Sequence, residues 1–474
     1  MTTVGRLANS DISGHLVRAT RGQAATQQEA AVAGERRRIS GWMMFDWASQ
    51  PYNTLLLTFV FGPYFATVVG DATEAQVLWG RGLTVAGLCI ALSAPVLGAM
   101  ADAGGRRLPW IAGFSLLYVL GASALWFAVP DMQSAWLVLL AFGVGLFGAE
   151  FGLIFVSAML PDLARREEVG RLSASAWALG YVGGVLALGL MLAFFAENEA
   201  GMTLLGNPPA LGLDPAMREG TRFVGPFTAL WYALFMIPFF LWVREPARPR
   251  LAYPGSGAPL AEVWRTLRSL PARPSLAAFL ASSMLYRDAL NGIFAFGGIY
   301  AIGVLGWSVV EIGVFGIAGA VSGAVFTWAG GFADRRFGPK PVIAASIVVL
   351  TLVCLVIVGM TREALWGLHF APGSTAADAI FYGCGVVIGA AGGILQATSR
   401  GMMVRQADPA RMTESFGLYA LAGKATTFVA PFTIALTTDL TGDQRLGIAP
   451  LVGLFLLALG LLVWVKPDGE RPAP

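Results

Sequence analysis

Apolar residues run in long blocks along most of the chain, separated by short clusters rich in Arg, Asp, Gly and Pro. A helix rises 1.5 Å per residue and needs roughly 20 apolar residues to cross the hydrocarbon core of a bilayer. On that measure the pattern predicts twelve spans, at about 45–69, 77–100, 109–129, 134–158, 172–196, 222–243, 274–301, 308–330, 341–359, 377–398, 412–436 and 447–466. Glycine, proline and a charge dilute the second and fourth most. An even number leaves both chain ends on one side. Residues 1–40 are polar, lack the apolar core of a secretory signal and are expected to form a disordered tail.

Composition agrees with this pattern. Of 474 residues, 56% are hydrophobic and 13% charged, against about 25% charged in soluble domains. Mean hydropathy is +0.66. A soluble enzyme is excluded, because so much apolar surface would aggregate in water. The 59 glycines suit packed membrane helices. A net charge of +3 from scattered basic residues leaves no footprint for nucleic acid. Cys89, Cys354 and Cys384 are far apart, and His15 and His369 are the only histidines. No metal site, cofactor or His-based catalytic site is expected from these residues. The chain has no G-x-x-x-x-G-K-[ST] phosphate loop, no H-E-x-x-H motif, and no nucleophile paired with a base. The expectation is a non-enzyme.

Basic residues orient the spans. Of the 32 Lys and Arg, 25 fall in the tails and in alternate loops on the same side as the termini. The opposite side receives Arg81, Arg218, Arg222, Arg362 and Arg445. The positive-inside rule then places both termini in the cytoplasm, in the inner or plasma membrane. The longest internal polar stretch, 244–273, contains five prolines and divides the chain. The expected layout is a tail over 1–40, a six-helix half over 41–243, a cytoplasmic linker over 244–273, a second half over 274–466, and a tail over 467–474. Within the linker, 260–270 reads equally as a surface-lying amphipathic helix or as plain connector. The loop over 197–221 is expected to be irregular.

An internal repeat supports the division into halves. Gly98-Ala-Met-Ala-Asp102-Ala-Gly-Gly-Arg106-Arg107 follows the second span, and Gly330-Gly-Phe-Ala-Asp334-Arg335-Arg336-Phe-Gly338 follows the eighth. Arg165, Arg171, Ser175 and Gly183 are matched by Arg405, Arg411, Ser415 and Gly423. Twelve spans with this Gly/Ala-Asp/basic loop after the second and eighth resemble the major facilitator superfamily. Ala103 departs from that pattern, at a position where arginine is common. Four segments resemble one branch, the unknown major facilitator family, which includes the autophagy-linked vacuolar amino-acid exporter of fungi. They are Trp42–Asn53; Leu160-Pro161-Asp162 with Gly170-Arg171-Leu-Ser173 and Trp177–Gly184; Gly392–Arg400; and Phe416–Tyr419 with Ala422-Gly423-Lys424. Ser49-Gln50-Pro51 departs from the branch, and Pro51 is expected to kink the first helix.

The resemblance implies an all-α integral membrane protein of two pseudo-symmetric six-helix halves that rock about a central site. The aspartate loops then act as latches, with Asp102, Arg106, Arg107, Asp334, Arg335, Arg336 and Arg400 at a cytoplasmic gate. Asp46 joins them as a cap or gate residue at the start of the first helix.

Charge at membrane depth is costly, so charged residues within spans are functional candidates. Glu150, Arg287, Asp288 and Lys424 qualify beside Asp46. Glu150 and Asp288 are the candidates for proton coupling. An ion pair between Glu150 and a loop arginine is weighed equally. Arg287 and Asp288 are adjacent and differ by about 100° in direction, so they are expected to diverge. Asp288 shares a face with Asn291. Lys424 is expected to neutralise a charge such as Asp288, with direct contact to a substrate carboxylate second. Asn53, Tyr181 and Gln396 are further candidates for lining the pathway.

The expected function is secondary transport of a small polar solute by alternating access. By the resemblance that solute is an amino acid or related metabolite, moved outward, and proton coupling is left open. Drug efflux, uptake, and a receptor or scaffold on the same fold are the alternatives. The expected partners are the solute and the bilayer, with the chain acting as a monomer.

Overall fold

The computed structural model describes residues 33–70, 72–198, 200–245, 264–265, 268–307 and 309–470. Each predicted window coincides with a helix. α1 runs Ala33–Phe59 and, after a 45° bend, Phe61–Val69. It is followed by α2 (Ala72–Gly104), α3 (Leu108–Ala124), α4 (Ala135–Ser157), α5 (Val169–Phe194) and α6 (Val224–Trp242). The second half holds α7 (Pro274–Leu305), α8 (Val309–Phe337), α9 (Pro339–Gly359) and α10 (Ala376–Gln406). It ends with the broken α11 (Met412–Ala425 and Val429–Thr441) and α12 (Ala449–Leu462). Among the described residues, ten helices are long and apolar enough to cross a membrane, and the bent α1 makes eleven. α7, 32 residues long, fills the seventh predicted window.

The exterior is apolar, as lipid requires. Leu88, Leu92, Leu120, Leu140, Leu241 and Leu352 are all exposed. The two halves meet along equivalent pairs, α2 against α11 and α5 against α8. The α2–α11 approach needs glycine. A Cβ on Gly98 would lie 2.6 Å from the Thr413 carbonyl oxygen, and one on Gly417 would lie 2.5 Å from that of Ala94.

Two helices carry deliberate irregularities. Pro51 cannot donate to the carbonyl four residues back. That carbonyl, of Trp47, accepts instead from Trp231 Nε1 of α6 at 3.2 Å. A π-helical stretch follows over Tyr52–Phe59, and the sharp bend falls beside Val60 rather than at Pro51. Thus the kink expected at Pro51 is displaced by about two turns. In α11 the break falls at Thr426–Phe428, where Pro431 in the first turn of the second segment lacks the N–H that would have bonded Thr427.

Residues 33–40, expected in the tail, already form α1, while 1–32 lie outside the described residues. Of the expected linker, 264–265 and 268–269 are helical, and 246–263, 266 and 267 lie outside the described residues. The stretch after α12 packs back on the bundle through Asp468, which pairs with Arg166 at 3.0 Å; residues 471–474 lie outside the description. The loop over 197–221 carries a short 3-10 turn, Ala210–Gly212, and runs into a single helical turn, Glu219–Arg222.

Candidate functional site

At the end of the bundle that bears the termini, α10 reaches across to the first half through Arg400. The Arg400 guanidinium faces the Asp46 carboxylate with two nitrogens, each 3.3 Å from one oxygen. Its Nε donates to Ser173 Oγ at 2.9 Å and its Nη2 to the Ser173 carbonyl at 3.2 Å. The rings of Trp42 and Trp177 lie on it, each centroid 5.3 Å away. The Arg400 and Asp46 side chains are 4% and 7% exposed. Such a buried, fork-matched pair is geometrically demanding, and guanidinium meets it where ammonium would not.

The two aspartate loops flank this contact. Asp102 Oδ1 accepts from Arg107 at 3.0 Å and from Thr413 Oγ1 at 2.6 Å. Its Oδ2 accepts from the Glu414 backbone N–H at 3.0 Å. The carboxylate of one half thus caps the first turn of α11 in the other, where orphan N–H groups favour negative charge. Arg107 Nε also donates to Thr413 at 2.6 Å. Its backbone N–H is held by Glu245 at 2.6 Å, from the end of α6. The second loop repeats the arrangement with less hydrogen bonding. Asp334 presses on Gly170 at the start of α5, where a Cβ would lie 2.2 Å from its Cγ. Arg335 pairs across the halves with Glu168 at 2.9 Å, and Glu168 also holds Arg171.

At mid-depth the charges sort differently from expectation. Lys424 Nζ of α11 meets Glu150 Oε1 of α4 at 3.0 Å, with 27% and 24% of the side chains exposed. Lys424 therefore neutralises Glu150, not Asp288, and among the described residues Glu150 pairs with no loop arginine. Arg287 and Asp288 both turn toward α11, one on each side of its break. Arg287 donates to the Tyr419 carbonyl at 3.0 Å and lies over the Tyr419 ring at 4.5 Å. Asp288 is buried, and its Oδ2 accepts from the Ala430 N–H at 2.9 Å, capping the second segment of α11. Its Oδ1 has no hydrogen-bond partner among the described residues.

Other predicted residues fall outside these clusters. Arg106 and Arg336 are exposed; Arg336 lies over Phe337, and Arg107 and Arg335 carry the latch contacts instead. Asn291 is exposed and does not share the environment of Asp288, and Asn53 is exposed too. Tyr181 packs its ring on Gly323 and Gly393, where added Cβ atoms would lie 3.4 and 3.3 Å from it. It therefore wedges α5 against α8 and α10. Gln396 is half-buried, about one turn along α10 from Arg400. Thr413, Glu414, Glu168 and Glu245 were not foreseen as functional residues. Thr413, Glu414 and Glu168 stand at helix starts and Glu245 just after the end of α6, and a neighbouring arginine or aspartate loop was the available signal.

Two pseudo-symmetric six-helix halves, latched at one end by aspartate loops, define the fold of the major facilitator superfamily. Solved structures share it. The MFS transporter FucP in its outward conformation matches with a TM-score of 0.67 at 13% identity, covering 90% of this chain and 98% of that one. A bacterial homologue of the iron transporter ferroportin, outward-facing, gives 0.65 at 17%, covering 91% and 99%.

Within that class the chain belongs to the "Vacuole effluxer Atg22 like" family, whose model matches residues 64–472. Its relatives include YxiO of Bacillus subtilis, an uncharacterized MFS-type transporter, 24% identical over 445 residues that cover 91% of this chain and 95% of the relative. Autophagy-related protein 22-1 of Aspergillus niger is 23% identical over 322 residues, 64% of this chain and 48% of the relative. The chain thus spans about half the length of that fungal relative. The protein is a multi-pass membrane transporter of this family and not an enzyme.

Proposed function

We propose that the protein exports a small zwitterionic solute, an amino acid or related metabolite, by alternating access driven by a proton gradient, with both termini in the cytoplasm. The observation that carries this reading is the sealed termini-bearing end. There, Arg400, Asp102 and Arg335 each bridge the two halves. These contacts exist only while that end is shut, so they are what must break for the halves to rock. The family description, a vacuole effluxer, supports carriage of a solute across a membrane.

Glu150 and Asp288 are the proton-coupling residues in this scheme. Both are carboxylates at mid-depth, one paired with Lys424 and one with a bare oxygen in a buried setting. Purified protein in proteoliposomes, given an imposed pH gradient and a panel of amino acids, tests the proposal. Flux of at least one zwitterion is expected, and flux of none would refute the substrate class. Asp288→Asn should lower proton-driven flux more than counterflow, and Glu150→Gln should lower proton-driven flux. Unchanged driven flux in both variants would remove their coupling role.

A further inference from the structure

The charges that join the halves are of two kinds. At the termini-bearing end Arg400–Asp46 is closed off, 4% and 7% exposed, and Arg335–Glu168 lies open at the rim. The Glu150–Lys424 pair is also of the open kind, a quarter exposed on each side. Lys424 is fifteen residues from the start of its span, Pro409–Thr441, and Glu150 twelve from the end of Ala135–Asp162. At 1.5 Å per residue both sit roughly 20 Å from the termini-bearing end. At that depth an exposed charge facing lipid is strongly disfavoured, so the open quarter faces the space between the halves.

We infer that Glu150 and Lys424 form the two poles of a site for a dipolar solute, with the solute's ammonium on Glu150 and its carboxylate on Lys424. The inference rests on the transport reading above and names the groups that select its substrate. Each pole belongs to a different half, so one bound molecule bridges the seam. The neighbouring groups leave the carboxylate this anchor. The N-terminus of the second α11 segment is a natural anion site, but Asp288 already occupies it. The guanidinium of Arg287 is engaged by Tyr419. Lys424 lies immediately before the break in α11, and discontinuous helices of this kind place polar groups at substrate depth.

The geometry also links binding to movement. Direct contact holds the Glu150 oxygen and the Lys424 nitrogen 3.0 Å apart. Charge-assisted hydrogen bonds are about 2.8 Å long, and the ammonium and carboxylate of an α-amino acid are about 3 Å apart from bond lengths. Insertion of the solute therefore spreads the two groups to about 8 Å while both stay paired. A direct tie between α4 and α11 becomes a looser, solute-bridged one. A monoamine or a monocarboxylate satisfies one pole and leaves the other charge without a partner, which is the basis of selection.

The test is counterflow in proteoliposomes with L-leucine, isopentylamine and 4-methylpentanoate, which share one side chain and differ in the poles. Wild type should prefer leucine at least tenfold over either analogue. Lys424→Met should lose leucine flux at least tenfold and retain isopentylamine. Glu150→Gln should lose leucine likewise and retain 4-methylpentanoate. The uncharged double variant, E150Q with K424M, checked for wild-type thermal stability, should move no leucine. Leucine flux within threefold of wild type in that variant overturns the inference. So does equal loss of all three solutes in both single variants, the behaviour of a merely structural ion pair. Wild-type leucine flux in the same assay reports separately on the transport reading, since the inference can fail while that flux persists.

Discussion

Replacing Arg400 by methionine removes a side chain that contacts α1 and α5 together. The volume is nearly kept, but Asp46 is left buried at 6% exposure without its partner. Breaking a buried, hydrogen-bonded ion pair costs about 3 kcal/mol or more. Loss of the stack between Trp42 and Trp177 adds to this. The cost falls on the shut state alone, because Asp46 is hydrated once that end opens. About 3 kcal/mol shifts a two-state population by roughly a hundredfold. A wild type that is 99:1 shut would then be near even. The readout is double electron–electron resonance between spin labels at Glu167→Cys and Arg336→Cys, both exposed and on opposite halves, with the exposed Cys89 replaced by serine. A second, longer distance should appear and dominate in part. Arg400→Lys should fall between, since ammonium keeps the charge but loses the fork and the stack. A single wild-type distance in Arg400→Met would refute the idea that this contact closes the end.

Two further outcomes follow from the same geometry. Gly98→Val places a Cβ 2.6 Å from the Thr413 carbonyl, so the α2–α11 crossing cannot form, and the same label pair should report a mainly open end; an unchanged distance would mean the helices slide to absorb it. Asp288→Ala removes the cap on Ala430 and should lower stability by about 1 kcal/mol in thermal unfolding, whereas Asp288→Asn keeps an acceptor and should stay close to wild type; equal losses in the two variants would contradict the capping role.

Hydropathy alone marked the twelve windows, the two halves and the loops where the latches lie. It could do so because lipid selects for apolar surface over a length that the bilayer sets, and that demand is written locally in the chain. The motif pair around Asp102 and Asp334 was legible for the same reason, as a short repeated string. The partners were not. Arg106 and Arg107 are neighbours in the loop between α2 and α3, yet one is exposed and the other, at the start of α3, is buried against Asp102 and Thr413.

Lys424 and Glu150 are 274 residues apart, and no local pattern says which of the mid-depth carboxylates the lysine will meet. Crossing angle, helix rotation and the break in α11 decide it, and these depend on packing across both halves. The same holds for Asp288, whose role as a helix cap exists only because Pro431 opens the chain at Thr426–Phe428. The sequence by itself determined a membrane bundle of two related halves with charges in unusual places. Only the tertiary structure decided which of those charges seal one end, which cap a helix, and which remain open at mid-depth, because each assignment is a contact between elements that the chain brings together only on folding.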